Sequence, residues 1–491
     1  MGICTIFIYM VNISRFKFLP DSISAIIIGM LVGLMVRMMD VDNRHFIFIR
    51  ANSIFLFFLP LILFESGYGL KKVSFLVFAV FGTIISAMVV GVGIYWMGLN
   101  GWVYQLSLLN SIVFGALLAS TDPVATLAIF QALNVETTLY MLAFGESVIN
   151  DAVSIVLFES ILSQYYINQE HHSMAHFPVQ FVFTFVSSIV IGVVCALFAA
   201  LTFKHLHLRE LSTSPLEISL MLVFSYMPYL LAASMRLSGI MAIFVGGVMM
   251  SHYTQWNLSD EARIVTASMF KTLAFAAETF LFAYIGLSAV TFEYTNAVPL
   301  ALGGLALCLL GRALNIFPLS LIVNQFRSKR ISYKVQFVLW FSGLRGIISF
   351  ALALNVPGAD HDVIAAATLI IVMLTIIIFG GGTVPVLRSL NMIKETKAEK
   401  DARSKQEHGT DPEDLDGGGS AHGASSSGVQ SKLLDPERSD THTPNVRTPL
   451  KRTPTGKNWF ERLDEKMFLP IFRHPDATHI ASVEDDSDAD D

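Results

Sequence analysis

Asn150 and Asp151 stand inside Phe144-Gly145-Glu146-Ser147-Val148-Ile149-Asn150-Asp151-Ala152-Val153, a run that otherwise reads as a membrane-crossing helix. Just upstream, a second apolar run is interrupted by Thr121-Asp122-Pro123. An ionised side chain at the bilayer centre costs roughly 2.5–3.5 kcal/mol on insertion scales, so intramembrane acids usually face a water-filled cavity and handle ions. Two neighbouring spans that both carry such residues suggest a path for a cation or a proton. Pro123 removes a backbone donor and clashes with the preceding turn. In a membrane an unwound stretch is tolerated only where it lines a cavity or is buried in protein. Half-helix ends and freed carbonyls are then natural cation ligands. The plainer reading is a proline kink in which Asp122 caps a half-helix, and the two readings are compatible.

Glu146, Asn150 and Asp151 have helical spacing: Glu146 and Asn150 share a face, whereas Asp151 lies about 100° around from Asn150. The two carboxylates are therefore aimed differently, which suggests one for transport and one for structure. A structural acid needs a cation, and Lys271, Arg312 and Arg345 all fall within apolar runs. Arg312 and Arg345 sit among small residues that let helices approach closely. A buried arginine without a carboxylate is costly, so pairing is expected. Snorkelling toward the interface is the alternative, for which Arg345 is poorly placed. Lys271 and Glu278 are two turns apart on one helix face; Glu278 reads better as lining of an ion path and Lys271 as an interfacial anchor.

Something must hold these groups in lipid. The chain has 491 residues, 53% of them apolar and only 15% charged, with a mean hydropathy of +0.58. Apolar runs recur to about residue 390, and about twelve are long enough to cross ~30 Å of hydrocarbon. They include 47–64, 73–98, 107–133, 138–165, 239–252, 333–354 and 363–390. Residues 3–13 add a shorter stub, read as the end of a truncated first helix. The fold expected is an all-α polytopic membrane protein of about 12–13 spans. Arg15 and Lys17, Lys71 and Lys72, Lys204 and Arg209, Arg263, and Arg327 to Lys334 fall in alternate loops, which places those loops and the C-terminal tail in the cytosol. Cys4, Cys195 and Cys308 lie apart within apolar spans and read as small core residues. The sequence has no evident nucleophile–base pair or phosphate-binding loop, so no enzymatic chemistry, cofactor or nucleic-acid partner is expected.

Residues 1–390 are thus read as the transmembrane domain and 391–491 as a largely disordered cytosolic tail. Thr443-Pro444, Thr448-Pro449 and Thr453-Pro454 are either phosphorylation sites or parts of a solvated linker. Within the tail, 457–473 gathers Trp459, Phe460, Leu463, Phe468, Leu469, Ile471 and Phe472. That apolar area suggests docking on a partner protein, on a membrane surface or on the chain's own helices. His171, His172 and His176 cluster in a loop on the opposite side; they titrate near endosomal pH but read best as solvated.

Several of these motifs together resemble the eukaryotic sodium/proton exchanger family of monovalent cation:proton antiporters. They are Thr121-Asp122-Pro123-Val124-Ala125-Thr126, Phe144-Gly145-Glu146-Ser147 through Asn150-Asp151, and Ser342-Gly343-Leu344-Arg345-Gly346. Phe64-Glu65-Ser66-Gly67-Tyr68, Leu237-Ser238-Gly239-Ile240-Met241-Ala242 and Glu278 through Gly286-Leu287-Ser288 join them. Within the family, His252-Tyr253-Thr254, Asn257-Leu258-Ser259 and the tail stretch Trp459 to Phe472 are most similar to the endomembrane exchanger 8 branch. The resemblance implies inverted repeats with crossed, broken helices, arranged as a core domain that moves against a dimerisation domain. It implies that Asp151 binds Na+ (or K+) and H+ in turn, as a transient metal ligand. By the same likeness Asn150, Thr121 and Asp122 support that site, Glu146 pairs with Arg312, Arg345 stabilises the helix crossing, and Ser147 and Glu278 belong to the pathway. A homodimer in Golgi or endosomal membranes is implied, regulating pH and cation content, with the plasma membrane as the alternative location.

The chain departs from the family in three places. The first helix is shortened, the 69–80 region lacks several residues, and no acid stands near Ala233, which implies weak amiloride sensitivity. Three functions follow: an electroneutral antiporter, a channel, or a transport-dead isoform acting as a scaffold through tail-binding proteins. The Asn–Asp pair favours occlusion over conduction, and counterflow separates antiporter from channel.

Overall fold

The computed structural model describes residues 2–13, 21–38, 53–70, 76–122, 137–167, 177–206, 214–292, 294, 296–326, 331–390 and 464–473. Every regular element among them is a helix. This is what a bilayer imposes on a chain that cannot close a barrel, because a helix satisfies its own backbone groups. In order they are α1 Gly2–Ile13, α2 Asp21–Met38, α3 Leu59–Tyr68 (entered through a π-turn, Ile54–Phe58), α4 Leu76–Leu99, α5 Leu108–Ala119, α6 Thr137–Ile167 and α7 Phe177–His205. Next come α8 Ser214–Ser234, α9 Gly239–His252, α10 Asp260–Thr291, α11 Ala297–Phe326, α12 Tyr333–Phe341, α13 Ile347–Ala353 and α14 His361–Thr375. A π-turn, Ile376–Gly380, joins α14 to α15 Gly381–Ser389, and α16 Leu469–Phe472 lies in the tail.

Two triplets share one plan: α4, α5 and α6, and then α11, α12–α13 and α14. In each, long helices flank an interrupted one, and loop charge gives the triplets opposite directions across the membrane. Helix α5 starts at the Ser107 cap, whose hydroxyl accepts from Asn110 N at 3.1 Å. It stops after Ala119, where Ser120 turns to extended backbone (φ −60°, ψ 132°). The second interruption was read from sequence as a continuous span, 333–354. It divides instead into α12 and α13 on either side of Ser342 to Gly346, because Gly346 is extended (φ −124°, ψ −160°) and cannot continue the helix.

Among the described residues, seven helices are long and apolar enough by themselves to cross a membrane. Breaks and π-turns shorten others below the length that the apolar runs suggested. The span expected at 47–64 runs on to Tyr68, so Glu65 lies within the helix. Pro123 and the rest of the span expected to 133 lie outside the described residues, as do His171, His172 and His176, the basic loop residues Arg15, Lys17, Lys71, Lys72, Arg209, Arg327, Lys329 and Arg330, and the Thr-Pro sites. Cys4, Cys195 and Cys308 are buried and unpaired, as small core residues.

Packing is tightest where glycines let backbones touch. A Cβ on Gly29 of α2 would stand 2.0 Å from Ala283 O of α10, and one on Gly286 would stand 2.1 Å from Ile26 O. Small residues at such crossings let dispersion replace the hydrophobic effect, which does not act between helices in lipid. The largest apolar cluster surrounds the two interruptions and includes Phe114, Leu117, Ile155, Phe158, Leu344 and Phe350. Beyond the helix ends on one side, Asp360 accepts from Tyr104 Oη (3.1 Å) and Asn110 Nδ2 (2.7 Å) and ties the α4–α5 loop to the start of α14.

Of the three docking surfaces open to the apolar tail stretch, the described part, 464–473, meets the chain's own helices. Lys204 Nζ at the end of α7 donates to Pro470 O and Ile471 O, both at 2.8 Å. Asn257 Nδ2 donates to Phe472 O (2.8 Å), and the Phe472 ring meets Tyr253 edge-on at 5.7 Å. Arg473 donates to His252 O and lies over Trp256, its guanidinium 5.0 Å from the ring centre.

Candidate cation site

The end of α5 and the middle of α6 meet at Asp151. Its carboxylate is 5% exposed and accepts from Ser120 Oγ at 2.6 Å and from the Thr121 backbone N–H. Both donors exist because the helix has ended: Ser120 is extended and Thr121 lies beyond the helix, so their polar groups turn toward α6 rather than into an i−4 ladder. One residue back, Asn150 Nδ2 donates to Thr121 Oγ1 (3.1 Å), and Thr121 Oγ1 is 3.3 Å from Ser147 Oγ. Asn150 Oδ1 in turn accepts from Thr83 Oγ1 of α4 at 3.1 Å. The result is a buried set of carboxylate and hydroxyl oxygens, hard donors of the kind that suit a hard cation, with the Asn150 oxygen turned to Thr83.

Asp122 lies on the other side of the break. Its backbone N–H donates to Leu344 O (2.9 Å), so the two interruptions are joined strand to strand. The side chain is packed against Gly346: a Cβ added there would stand 2.6 Å from Asp122 Oδ2. This puts the carboxylate at the N-terminal end of α13, the positive end of its dipole. The half-helix that Asp122 was expected to cap, beyond Pro123, lies outside the described residues, and Asp122 stands instead at the start of α13.

Arg345 is the counterpart. Sequence reasoning expected a carboxylate partner or snorkelling, and the structure gives neither. Arg345 is 1% exposed, and its Nη1 donates to Ala119 O and Ser120 O, each at 3.0 Å. The cation thus sits on carbonyls left open where α5 ends, the negative end of that half-helix. Its backbone N–H donates to Thr375 Oγ1 (3.1 Å), and Ser349 Oγ donates to Ser120 O (3.4 Å). Ser120, Ser349, Thr375 and Thr83 were not singled out from sequence. A hydroxyl in an apolar run carries no distinctive signal until its neighbours are known.

Glu146 is held separately. Both its oxygens accept from Arg312, at 3.2 and 3.0 Å, and each side chain is 3% exposed. Arg312 also donates to Leu339 O through Nε (3.1 Å) and Nη2 (2.8 Å), at the end of α12. Gly343 makes room for this: a Cβ there would stand 2.3 Å from Arg312 Cδ. The divergence of Glu146 from Asp151 around α6 is therefore realised in space. Glu278 is partly buried on α10, within Coulombic range of Asp122 and Glu65 but outside the hydrogen-bonded set. Lys271 is exposed and within Coulombic range of Glu65.

Crossed, interrupted helices in two oppositely directed triplets define the class: a polytopic membrane protein with a secondary-antiporter fold. The structure of the sodium proton antiporter MjNhaP1 from Methanocaldococcus jannaschii has the same fold, with a TM-score of 0.59, 20% sequence identity and coverage of 80% of this chain and 98% of the other. Residues 2–389 match the family described as "Sodium/hydrogen exchanger, transmembrane". Sodium/hydrogen exchanger 8 of Gallus gallus is 42% identical over 418 residues, 82% of this chain and 72% of the relative. The Homo sapiens protein of that name is 40% identical, covering 82% and 71%. Sodium/hydrogen exchanger 1 of Dictyostelium discoideum is 38% identical over 397 residues. The chain belongs to the sodium/hydrogen exchanger family, a family of transporters rather than enzymes.

Proposed function

We propose that this protein exchanges one Na+ (or K+) for one H+ across an endomembrane, with Asp151 as the carboxylate that carries each in turn. The observation behind this is the contrast between two acids on α6. Glu146 is balanced by a bidentate arginine. Asp151 is equally buried, yet its hydrogen bonds come from neutral donors, Ser120 Oγ and Thr121 N–H. A buried carboxylate with no bonded cation needs a mobile one, and a metal ion and a proton can each serve. Asparagine at 150, where a second acid would add a charge, keeps the exchange at one for one and hence electroneutral. Thr121, Ser147 and Asn150 complete the site, and Asp122 and Arg345 hold the crossing by balancing the half-helix ends. Glu278 lines the approach.

The match to exchangers numbered 8 supports a Golgi or endosomal location, where such exchange sets lumenal pH and cation content. The family supports a homodimer. Residues 391–491, acting as a cytosolic tail, add a regulatory segment at 464–473. The test is cation-driven pH recovery in proteoliposomes holding the purified chain, with Na+, K+ or choline outside. Recovery with Na+ or K+ that is lost in Asp151→Asn, while the variant stays folded, is the expected result. Near-normal exchange by that variant would remove Asp151 from the site.

A further inference from the structure

Thr83 lies on α4, a helix whose sequence carries no acid and no arginine between Leu76 and Leu99. It is 1% exposed. Its hydroxyl faces two acceptors, Ala79 O at 2.6 Å and Asn150 Oδ1 at 3.1 Å. The hydroxyl has one proton, so the two contacts share it as a three-centre bond, and the first is the ordinary back-bond of a helical threonine. The second reaches another helix and the residue beside Asp151.

A carboxamide has a donor end and an acceptor end, so what faces one end decides what the other presents. With Thr83 donating to Oδ1, the NH2 group of Asn150 is turned to Thr121 Oγ1, 3.1 Å away. Thr121, now accepting, sends its own proton to Ser147 Oγ at 3.3 Å. Hydroxyl polarity therefore runs one way, from Thr83 through Asn150 and Thr121 to Ser147. Remove the Thr83 hydroxyl and the amide gains nothing by this orientation. Turned over, Asn150 offers its oxygen to Thr121, which must then donate to it, and the chain of protons reverses. The protons and lone pairs of the Thr121 and Ser147 hydroxyls then point elsewhere, and a cation, held only by lone pairs, meets a different set of them.

We propose that Thr83 is a positioning residue for the transported cation: it fixes the orientation of the Asn150 carboxamide and through it the polarity of the Thr121 and Ser147 hydroxyls. The proposal rests on Asp151 being the exchanging carboxylate. Thr83 touches no ion itself, so its loss alters cation binding and leaves turnover intact.

The experiment compares wild type, Thr83→Val, Thr83→Ser and Asp151→Asn as full-length chains in proteoliposomes, measuring initial exchange rates against Na+, K+ and Li+ concentration. Valine keeps the shape of threonine and removes the hydroxyl; serine keeps the hydroxyl. Expected for Thr83→Val is a change of about tenfold in apparent KM for the driving cation, the size of one hydrogen bond converted to affinity. The maximal rate should stay within about twofold, the Li+ to Na+ preference should change, and Thr83→Ser should match wild type. An unchanged KM and ion preference in Thr83→Val, with Asp151→Asn inactive, overturns the role of Thr83 alone. So does a fall in maximal rate and melting temperature that serine fails to rescue, since that is a packing role. If Asp151→Asn exchanges as well as wild type, the reading of Asp151 fails and the proposal falls with it.

Discussion

Glu146 and Asp151 are little more than a turn apart on α6, equally buried and chemically alike, and their neighbours make them different. The Glu146–Arg312 pair is closed, with both carboxylate oxygens taken and Arg312 further bound to Leu339 O. Breaking a buried pair from one side leaves the other charge uncompensated, at a cost of about 3–5 kcal/mol. Glu146→Gln is therefore expected to lower the melting temperature of the detergent-purified protein sharply. Removing both charges, Glu146→Gln with Arg312→Met, should recover part of the loss. Thermal unfolding of the two variants side by side checks this, and a double variant no more stable than the single one would contradict it. Asp151→Asn belongs to the opposite class. It removes a buried charge that has no bonded cation, so stability is expected to hold or rise while exchange is lost.

The interruptions matter at the scale of elements because each places a charge at a half-helix end. Arg345 covers the α5 carbonyls, and Asp122 stands at the start of α13. Gly343 lets the linker between α12 and α13 pass over the Arg312 stem. Gly343→Ala should displace Arg312 and lose stability by the same route as Glu146→Gln. The two changes combined should then cost clearly less than their sum, as expected for residues acting through one partner; strict additivity in a thermal-melt cycle would argue against this coupling. Helix α16 gives a second prediction at this scale. Hydrogen exchange of residues 469–473 should be slow in the intact chain, because three side chains of the body bind this stretch through its carbonyls and its Phe472 ring. In Arg473→Ala with Phe472→Ala that protection should disappear; retained protection would mean that these contacts do not hold the segment.

For the molecule as a whole, loop charge sets the orientation. Lys204, His252 to Asn257 and the tail segment meet on one side, and Tyr104, Asn110 and Asp360 are tied together on the other. The positive-inside rule predicts that the first side is cytosolic. The three native cysteines are buried and give no background to a membrane-impermeant thiol reagent. In sealed vesicles of known sidedness, Asp362→Cys is expected to label from the lumenal side and Ile471→Cys from the cytosolic side. The reverse pattern would invert the topology.

The amino-acid sequence settled most of the class by itself. Apolar runs of bilayer length leave a helical bundle as the available architecture, and acids inside two of them mark helices that must turn a face to protein or water, since lipid does not tolerate a charge. Helical spacing also separated Glu146 from Asp151, because that angle is fixed by the α-helix before any packing. The family resemblance paired Glu146 with Arg312, but the partners of Arg345, Ser120 and Thr83 were decided only by the tertiary structure. Arg345 looked as if it needed a carboxylate and instead binds two carbonyls of α5, because the break that frees them lies in another helix more than two hundred residues earlier. The span read as 333–354 divides over Ser342 to Gly346, where Asp122 N–H donates to Leu344 O and its side chain fills the space a side chain at 346 would need. Ser120 and Thr83 were indistinguishable from any hydroxyl in an apolar run until the crossing brought them to Asp151 and Asn150. A residue's type and spacing are local properties, whereas the donor that meets a buried oxygen depends on which distant segment the fold lays beside it.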